Sequence, residues 1–186
     1  MILTKCRVEF YIGPDAVAKS DLIRVQSGIG VDVHPMSESL KTKIIRWGFN
    51  LFPAYCSTGA RITYVAGDFR EVRIRLPLSW QTRNYVGTIF GGSMYAAVDP
   101  VYMLMLIMNL GKDYVVWDKS GCINFKKPGR TALFARFLID GDELDLIRRE
   151  LEHARHIDRS YHVDLTDEQG IVHASIEKVV YIRKKE

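Results

Sequence analysis

Residues 84 to 110 read NYVGTIFGGSMYAAVDPVYMLMLIMNL, and within them Asn84, Phe90-Gly91-Gly92 and Asp99 form the pattern N-x5-F-G-G-x6-D. From Met94 to Leu110 the stretch is almost wholly apolar, as expected of a helix enclosed by protein rather than lying at its surface. A carboxylate in such a place pays a heavy desolvation cost unless it is paired or used. Two readings of Asp99 stay open at this level. Asp followed by Pro is an ordinary N-cap and N1 pair that can start a second helical segment, and it is equally a carboxylate positioned for chemistry. Val101 to Leu110 supplies about half of the ~20 residues that a membrane span needs, and Asp99-Pro100 is expected to block its extension backwards.

Something must wrap that helix, and the flanking sequence offers strands. Val72, Ile74 and Leu76 alternate with Glu71, Arg73 and Arg75, giving a strand with one wet, mostly cationic face. Further strands are expected at residues 60–65, 114–127, 133–139, 160–166 and 171–183. The last two are joined by Asp167-Glu168-Gln169-Gly170, a polar connection suited to a hairpin. Pro128-Gly129 marks a second expected hairpin turn. A helix near residues 143–154 places Leu144, Ile147, Leu151 and Ala154 on one face.

Before the strands, Leu40, Ile44, Trp47 and Leu51 recur at helical spacing, with Lys41, Lys43 and Arg46 off that line, until Pro53 ends the pattern. The expected place for this amphipathic stripe is against a sheet; a membrane surface is the alternative. Residues 1–35 carry Gly13-Pro14, Gly28, Gly30 and Pro35 without sustained periodicity, and read as an irregular extension with one short strand near residues 6–12. Patterned sequence begins after Met36, a candidate start for a shorter form. Residues 36–186 read as one domain.

Composition bounds the function. With 47% hydrophobic and 26% charged residues, the 186-residue chain can bury a real core. A net charge of +4, spread along the chain, gives no basis for nucleic-acid binding. Three cysteines without CxxC spacing argue against a disulfide framework or a zinc site, so a reducing cytoplasm is expected. No signal peptide, stable membrane insertion or cofactor is expected. His153 and His156 share a polar helix face but lack acidic or thiol partners nearby in sequence, so no metal site is expected either.

A long sheet round one apolar helix is an α+β hotdog architecture, and the residues carry a family resemblance. Asn84-Tyr85-Val86-Gly87 leading into Phe90-Gly91-Gly92, then Asp99, then Ile123 to Gly129 and the final hairpin, together resemble a hotdog-fold thioesterase of the PaaI-like branch over roughly residues 55 to 184. The resemblance implies an acyl-CoA substrate, with Asp99 as general base or nucleophile and Gly91 as oxyanion donor. Free amides at Gly91 and Gly92 suit the donor role, since glycine lets a carbonyl approach closely; tight packing is the alternative use of two glycines. Asn84 would orient water or the carboxylate, or else is a turn residue. Phe90 departs from the family, where His is common, and makes the pocket more apolar.

Lys126, Lys127 and Arg130 around the Pro128-Gly129 turn are candidates for the coenzyme A phosphates. Tyr95, Tyr102 and Met103 are candidates for the acyl pocket, and Gly92 and Phe90 are further candidates for substrate binding. Eight helical residues separate Gly91 from Asp99 by about 12 Å, too far for both to reach one thioester. Two antiparallel helices about a two-fold would bring Gly91 of one chain near Asp99 of the other, so an obligate homodimer is expected, with assembly into a dimer of dimers left open. A non-catalytic acyl-CoA binding module and a hotdog hydratase or dehydratase are the competing functions.

Overall fold

The structure, a computed structural model, describes residues 8–9 and 36–185. Strands β1 (Val8–Glu9), β2 (Arg61–Val65), β3 (Glu71–Leu76), β4 (Tyr114–Phe125), β5 (Leu133–Leu138), β6 (Ile157–Thr166) and β7 (Val172–Lys184) form one antiparallel sheet in the order β1-β4-β7-β6-β5-β3-β2. Of the expected strand at residues 6–12, only β1 lies within the described residues, so the extension lends the sheet a short edge strand. Alternation in sequence becomes alternation in burial. In β6, Ile157, Arg159, Tyr161, Val163 and Leu165 all point inward, and β7 buries Ala174, Ile176, Lys178, Val180 and Ile182.

The sheet wraps helices α3 (Gly91–Val98) and α4 (Val101–Leu110), as expected. Their side chains Met94, Ala97, Val98, Val101, Met105 and Leu106 are buried, and full burial of each of the Val, Leu and Met side chains is worth about 1.5–3 kcal/mol. Asp99-Pro100 does not block the helix. Both residues have right-handed helical dihedrals, and Leu104 still donates to the Pro100 carbonyl, so the two segments run on as 20 near-continuous helical residues. Pro100 only removes one amide donor from the ladder. By length and mean hydropathy, 1.3, this helix would suffice to cross a membrane; here the sheet supplies its apolar surroundings.

Three other expectations change. Pro128-Gly129 is not a hairpin turn, because β4 pairs with β7 while β5 pairs with β3 and β6; it begins a crossover between distant strands. The last helix, α5 (Gly141–Glu150), buries Leu144 and Ile147, with Leu151 just beyond its end, but stops before Ala154, which is exposed. Its start is set by Asp140, whose carboxylate accepts from the Glu143 amide at 2.8 Å.

The first helix, α1 (Leu40–Leu51), does not pack its apolar stripe on the sheet. Leu40, Ile44, Trp47 and Leu51 are 63–76% exposed. Polar contacts set its rotation instead: Asn50 accepts from the Ile62 amide at 2.8 Å and donates to the Ile62 carbonyl at 2.9 Å, completing the edge of β2. Glu38 accepts from Arg46 and from the Val65 amide, and Ser39 caps the helix against Thr42. These bonds turn Thr42, Ile45 and Phe49 inward. A short turn of helix, α2 (Pro53–Cys56), follows.

Candidate functional site

Asp99 is not the N-cap of α4; it is the C-cap of α3, where its amide donates to the Tyr95 carbonyl. Pro100 occupies the cap position of α4, which has no side-chain cap bond, and the Asp99 carboxylate points instead to β7, where it accepts from Lys178 Nζ at 2.5 Å. Lys178 falls in the inward row of β7, where its neighbours are Ile176 and Val180, and its side chain is 1% exposed. On the adjacent strand, Asp118 lies 3.3 Å from the same ammonium. That approach is within ion-pair reach but out of line for a hydrogen bond, so Lys178 donates to Asp99 and only faces Asp118. Asp99 remains 37% exposed.

A strand irregularity assembles this group. Between Asp118 and Ser120 the β4–β7 register shifts, so that Val116 and Asp118 point inward before the shift and Gly121 points inward after it. Gly121 is needed there, since a Cβ on it would stand 2.0 Å from the Tyr95 hydroxyl. Tyr95 thereby reaches the cluster: Lys178 Nζ sits 5.5 Å from its ring centroid, and its buried hydroxyl has no hydrogen-bond partner among the described residues.

One ammonium serves two carboxylates here. Burial pushes the Asp118 carboxyl up to about 6, with Lys178 opposing the rise and Asp99 adding to it. Burial pulls Lys178 down, but Asp118 and Asp99 outweigh it and hold the ammonium above its ordinary value. Burial raises Tyr95 as well.

The start of α3 has its own geometry. Phe90 holds the N-cap position in extended conformation and no side chain caps the helix. Both glycines leave room for exposed rings to lie over the helix start: a Cβ on Gly91 would lie 2.7 Å from the Phe125 ring, and one on Gly92 would lie 2.3 Å from the Phe90 ring, so either ring would have to swing aside. Asn84 commits its carboxamide to the preceding loop, accepting from the Val86 and Thr88 amides and donating to Thr88 Oγ1 at 2.9 Å. It is a loop-closing residue in this arrangement.

The crossover after β4 comes to the same end of the helix, because the Ile89 amide donates to the Gly129 carbonyl at 2.8 Å. Lys126, Lys127 and Arg130 are thus exposed next to the loop that enters α3. Trp80, Tyr85, Val86, Phe90 and Phe125 are also exposed around this end. Tyr102 does not belong with them. It is 2% exposed, stacked on Tyr161 at 4.6 Å and bonded through its hydroxyl to the His162 carbonyl, so it is core and not acyl pocket. Met103 packs against the same core. On the other side of the Asp99 turn, Pro100, Val101, Leu104, Met105 and Met108 join Ile45, Phe49 and Phe69 around an apolar cavity of about 50 Å³.

Sequence reasoning missed Lys178 and Asp118. A signal was present for the lysine, which interrupts the alternating apolar row Ala174, Ile176, Val180 and Ile182. No comparable sign marked Asp118, because the residues after it, Lys119, Ser120 and Gly121, break the alternation that would show it as an inward position.

The family described as "Domain of unknown function (DUF4442)" matches residues 41–182. Among solved structures, a protein of unknown function from Pseudomonas aeruginosa, described as a probable thioesterase, is similar with TM-score 0.69 and 19% identity, covering 81% of this chain and 99% of that one. A Haemophilus influenzae thioesterase is similar with TM-score 0.60 and 14% identity, covering 81% and 95%. Mouse thioesterase superfamily member 2 is similar with TM-score 0.56 and 16% identity, covering 77% and 98%. At these identities the likeness establishes the hotdog fold. No curated protein matches in sequence.

Proposed function

Because the chain belongs to the DUF4442 family and has the hotdog fold of the thioesterase superfamily, we propose that it is a cytoplasmic acyl-CoA thioesterase of the PaaI-like branch, working as a homodimer. The observation that carries this reading is the Asp99 carboxylate, which makes no N-cap bond to α4 and is held by a buried ammonium while more than a third of it stays open to solvent. As general base, Asp99 takes a proton from water as the water oxygen attacks the thioester carbon; the C–S bond then breaks and the departing thiolate is protonated. As nucleophile, its oxygen forms a transient anhydride with loss of the thiolate, and water hydrolyses that anhydride. Lys178 acts through Asp99 by fixing its orientation.

Gly91 of the partner subunit would supply the amide that stabilises the oxyanion, an interaction worth about 3–4 kcal/mol in comparable acyl transfers. Support for a shared site comes from the separation of Gly91 and Asp99 along one near-continuous helix, about 12 Å, and from the exposed apolar residues around the α3 start. The same end carries Lys126, Lys127 and Arg130, cations suited to the phosphates of coenzyme A. The test is thiol release from short, medium, long and aromatic acyl-CoAs by the wild type and by Asp99→Asn. The variant is expected to lose on the order of 10²–10⁴-fold in rate.

A non-catalytic acyl-CoA binding module is the second reading, favoured by the fact that the Asp99–Lys178 pair is by itself a complete structural role. Acyl-CoA binding by a wild type that releases no thiol from the panel would decide for it, whereas unchanged hydrolysis by Asp99→Asn would keep the thioesterase and remove Asp99 from its chemistry.

A further inference from the structure

We propose that α1 docks the protein flat on the surface of a bilayer containing anionic lipid, an inference that stands whether or not the chain hydrolyses thioesters. Leu40, Ile44, Trp47 and Leu51 fall on one line of the helix opposite its buried Thr42 and half-buried Phe49, and Phe52, the extended residue that ends the helix, adds a further apolar side chain, 58% exposed. Their direction is fixed. The two Asn50 bonds to Ile62, the Glu38–Arg46 pair at 2.9 Å and the Ser39 cap hold α1 on the edge of β2, so the stripe cannot roll inward without breaking them. A contiguous apolar surface on a rigid, exposed element marks a contact surface.

Charge selects the occupant. Lys41 and Lys43 flank the stripe on opposite sides, about 90° and 70° from its centre at 100° per residue, and both are exposed. The helix LKTKIIRWGFNL contains no acidic residue, and Glu38 just before it is engaged by Arg46 and the Val65 amide. An apolar stripe centred on Trp and bordered by lysines matches a helix lying in the headgroup plane, with apolar side chains in the acyl boundary and ammonium groups among lipid phosphates. A second copy fits less well. A two-fold contact through this stripe would bring the Lys41 and Lys43 ammonium groups of both copies to one apolar seam with no acid on either helix to neutralise them, and lysine is depleted in protein interfaces.

The test is co-sedimentation of the full chain with phosphatidylcholine vesicles and with vesicles containing phosphatidylglycerol, comparing wild type, Ile44→Glu/Trp47→Glu and Lys41→Glu/Lys43→Glu. The wild type is expected to bind the anionic vesicles with salt-sensitive affinity. The first variant should lose at least tenfold in partitioning, and the second should lose its preference for anionic over neutral lipid. All four substituted side chains are exposed, and Lys41 alone has an aromatic contact, 5.8 Å over the Phe69 ring, so thermal unfolding should change little, which separates loss of docking from loss of fold. The proposal is overturned if the wild type stays in the supernatant, as it would if another part of the chain covers the stripe. It is equally overturned if both variants bind like wild type, or if Ile44→Glu/Trp47→Glu lowers the solution mass by light scattering, which would assign the stripe to a second copy.

Discussion

Replacing Lys178 by Met keeps the length of the side chain and removes its charge from a site that is 1% exposed and lies 2.5 Å from Asp99 and 3.3 Å from Asp118. Two carboxylates then face each other without the ammonium between them. Removing one partner of a buried ion pair costs about 3–5 kcal/mol, because the remaining charge stays desolvated. The cost must depend on pH. Asp118, already up to about 6 in the native protein, loses the cation that opposes its rise and moves higher still. Its folded value lies above its ordinary 3.8, so the native state binds the proton more tightly than the unfolded chain, and the stability this adds is present below about pH 4 and lost as pH rises through 6. The Met variant is therefore expected to be about 3–5 kcal/mol less stable than wild type at pH 8, and clearly less penalised at pH 5, where Asp118 can take up its proton. Urea unfolding at the two pH values measures this. A penalty below about 1 kcal/mol, or one equal at both pH values, would refute the account of Lys178 as the cation that holds two carboxylates.

Asp118→Asn removes the raised group itself, so relative to wild type it should gain stability on going from pH 4 to pH 8, by up to about 3 kcal/mol, the free energy of a shift of this size; denaturation across that range checks the sign. Gly121→Ala pushes a Cβ into the Tyr95 hydroxyl, which it would approach to 2.0 Å, and overpacking of this kind costs about 1–3 kcal/mol. Tyr95→Phe should recover part of that loss in the double variant, measured by thermal unfolding. If each site combines Gly91 of one subunit with Asp99 of the other, mixing inactive Asp99→Asn with inactive Gly91→Val under conditions of subunit exchange should restore about a quarter of wild-type thiol release, since half the dimers would be mixed and each would own one intact site. No recovery from freely exchanging subunits would sink the shared site.

Local pattern alone exposed the strands, the hairpin at Asp167 to Gly170 and the enclosed helix, because each rests on a period that neighbouring residues impose: two for β6 and β7, and an apolar run for α3 and α4. Asp99 stood out for the same reason, as a charge where the surroundings are apolar. What the sequence could not decide was where such groups find partners. Asp99 meets Lys178 across 79 positions of chain and is joined by Asp118 only because β4 pairs with β7 in the register that sets Asp118 opposite Val180. The Pro128-Gly129 turn has local hairpin chemistry but serves a crossover, since strand pairing is settled by the whole sheet. For α1 the periodicity predicted the helix correctly and its direction wrongly. Asn50 and Glu38 satisfy backbone groups at the edge of β2 and so turn the apolar line outward. Periodicity states which residues share a face; only the tertiary structure, through the polar groups it must satisfy, decides what that face meets.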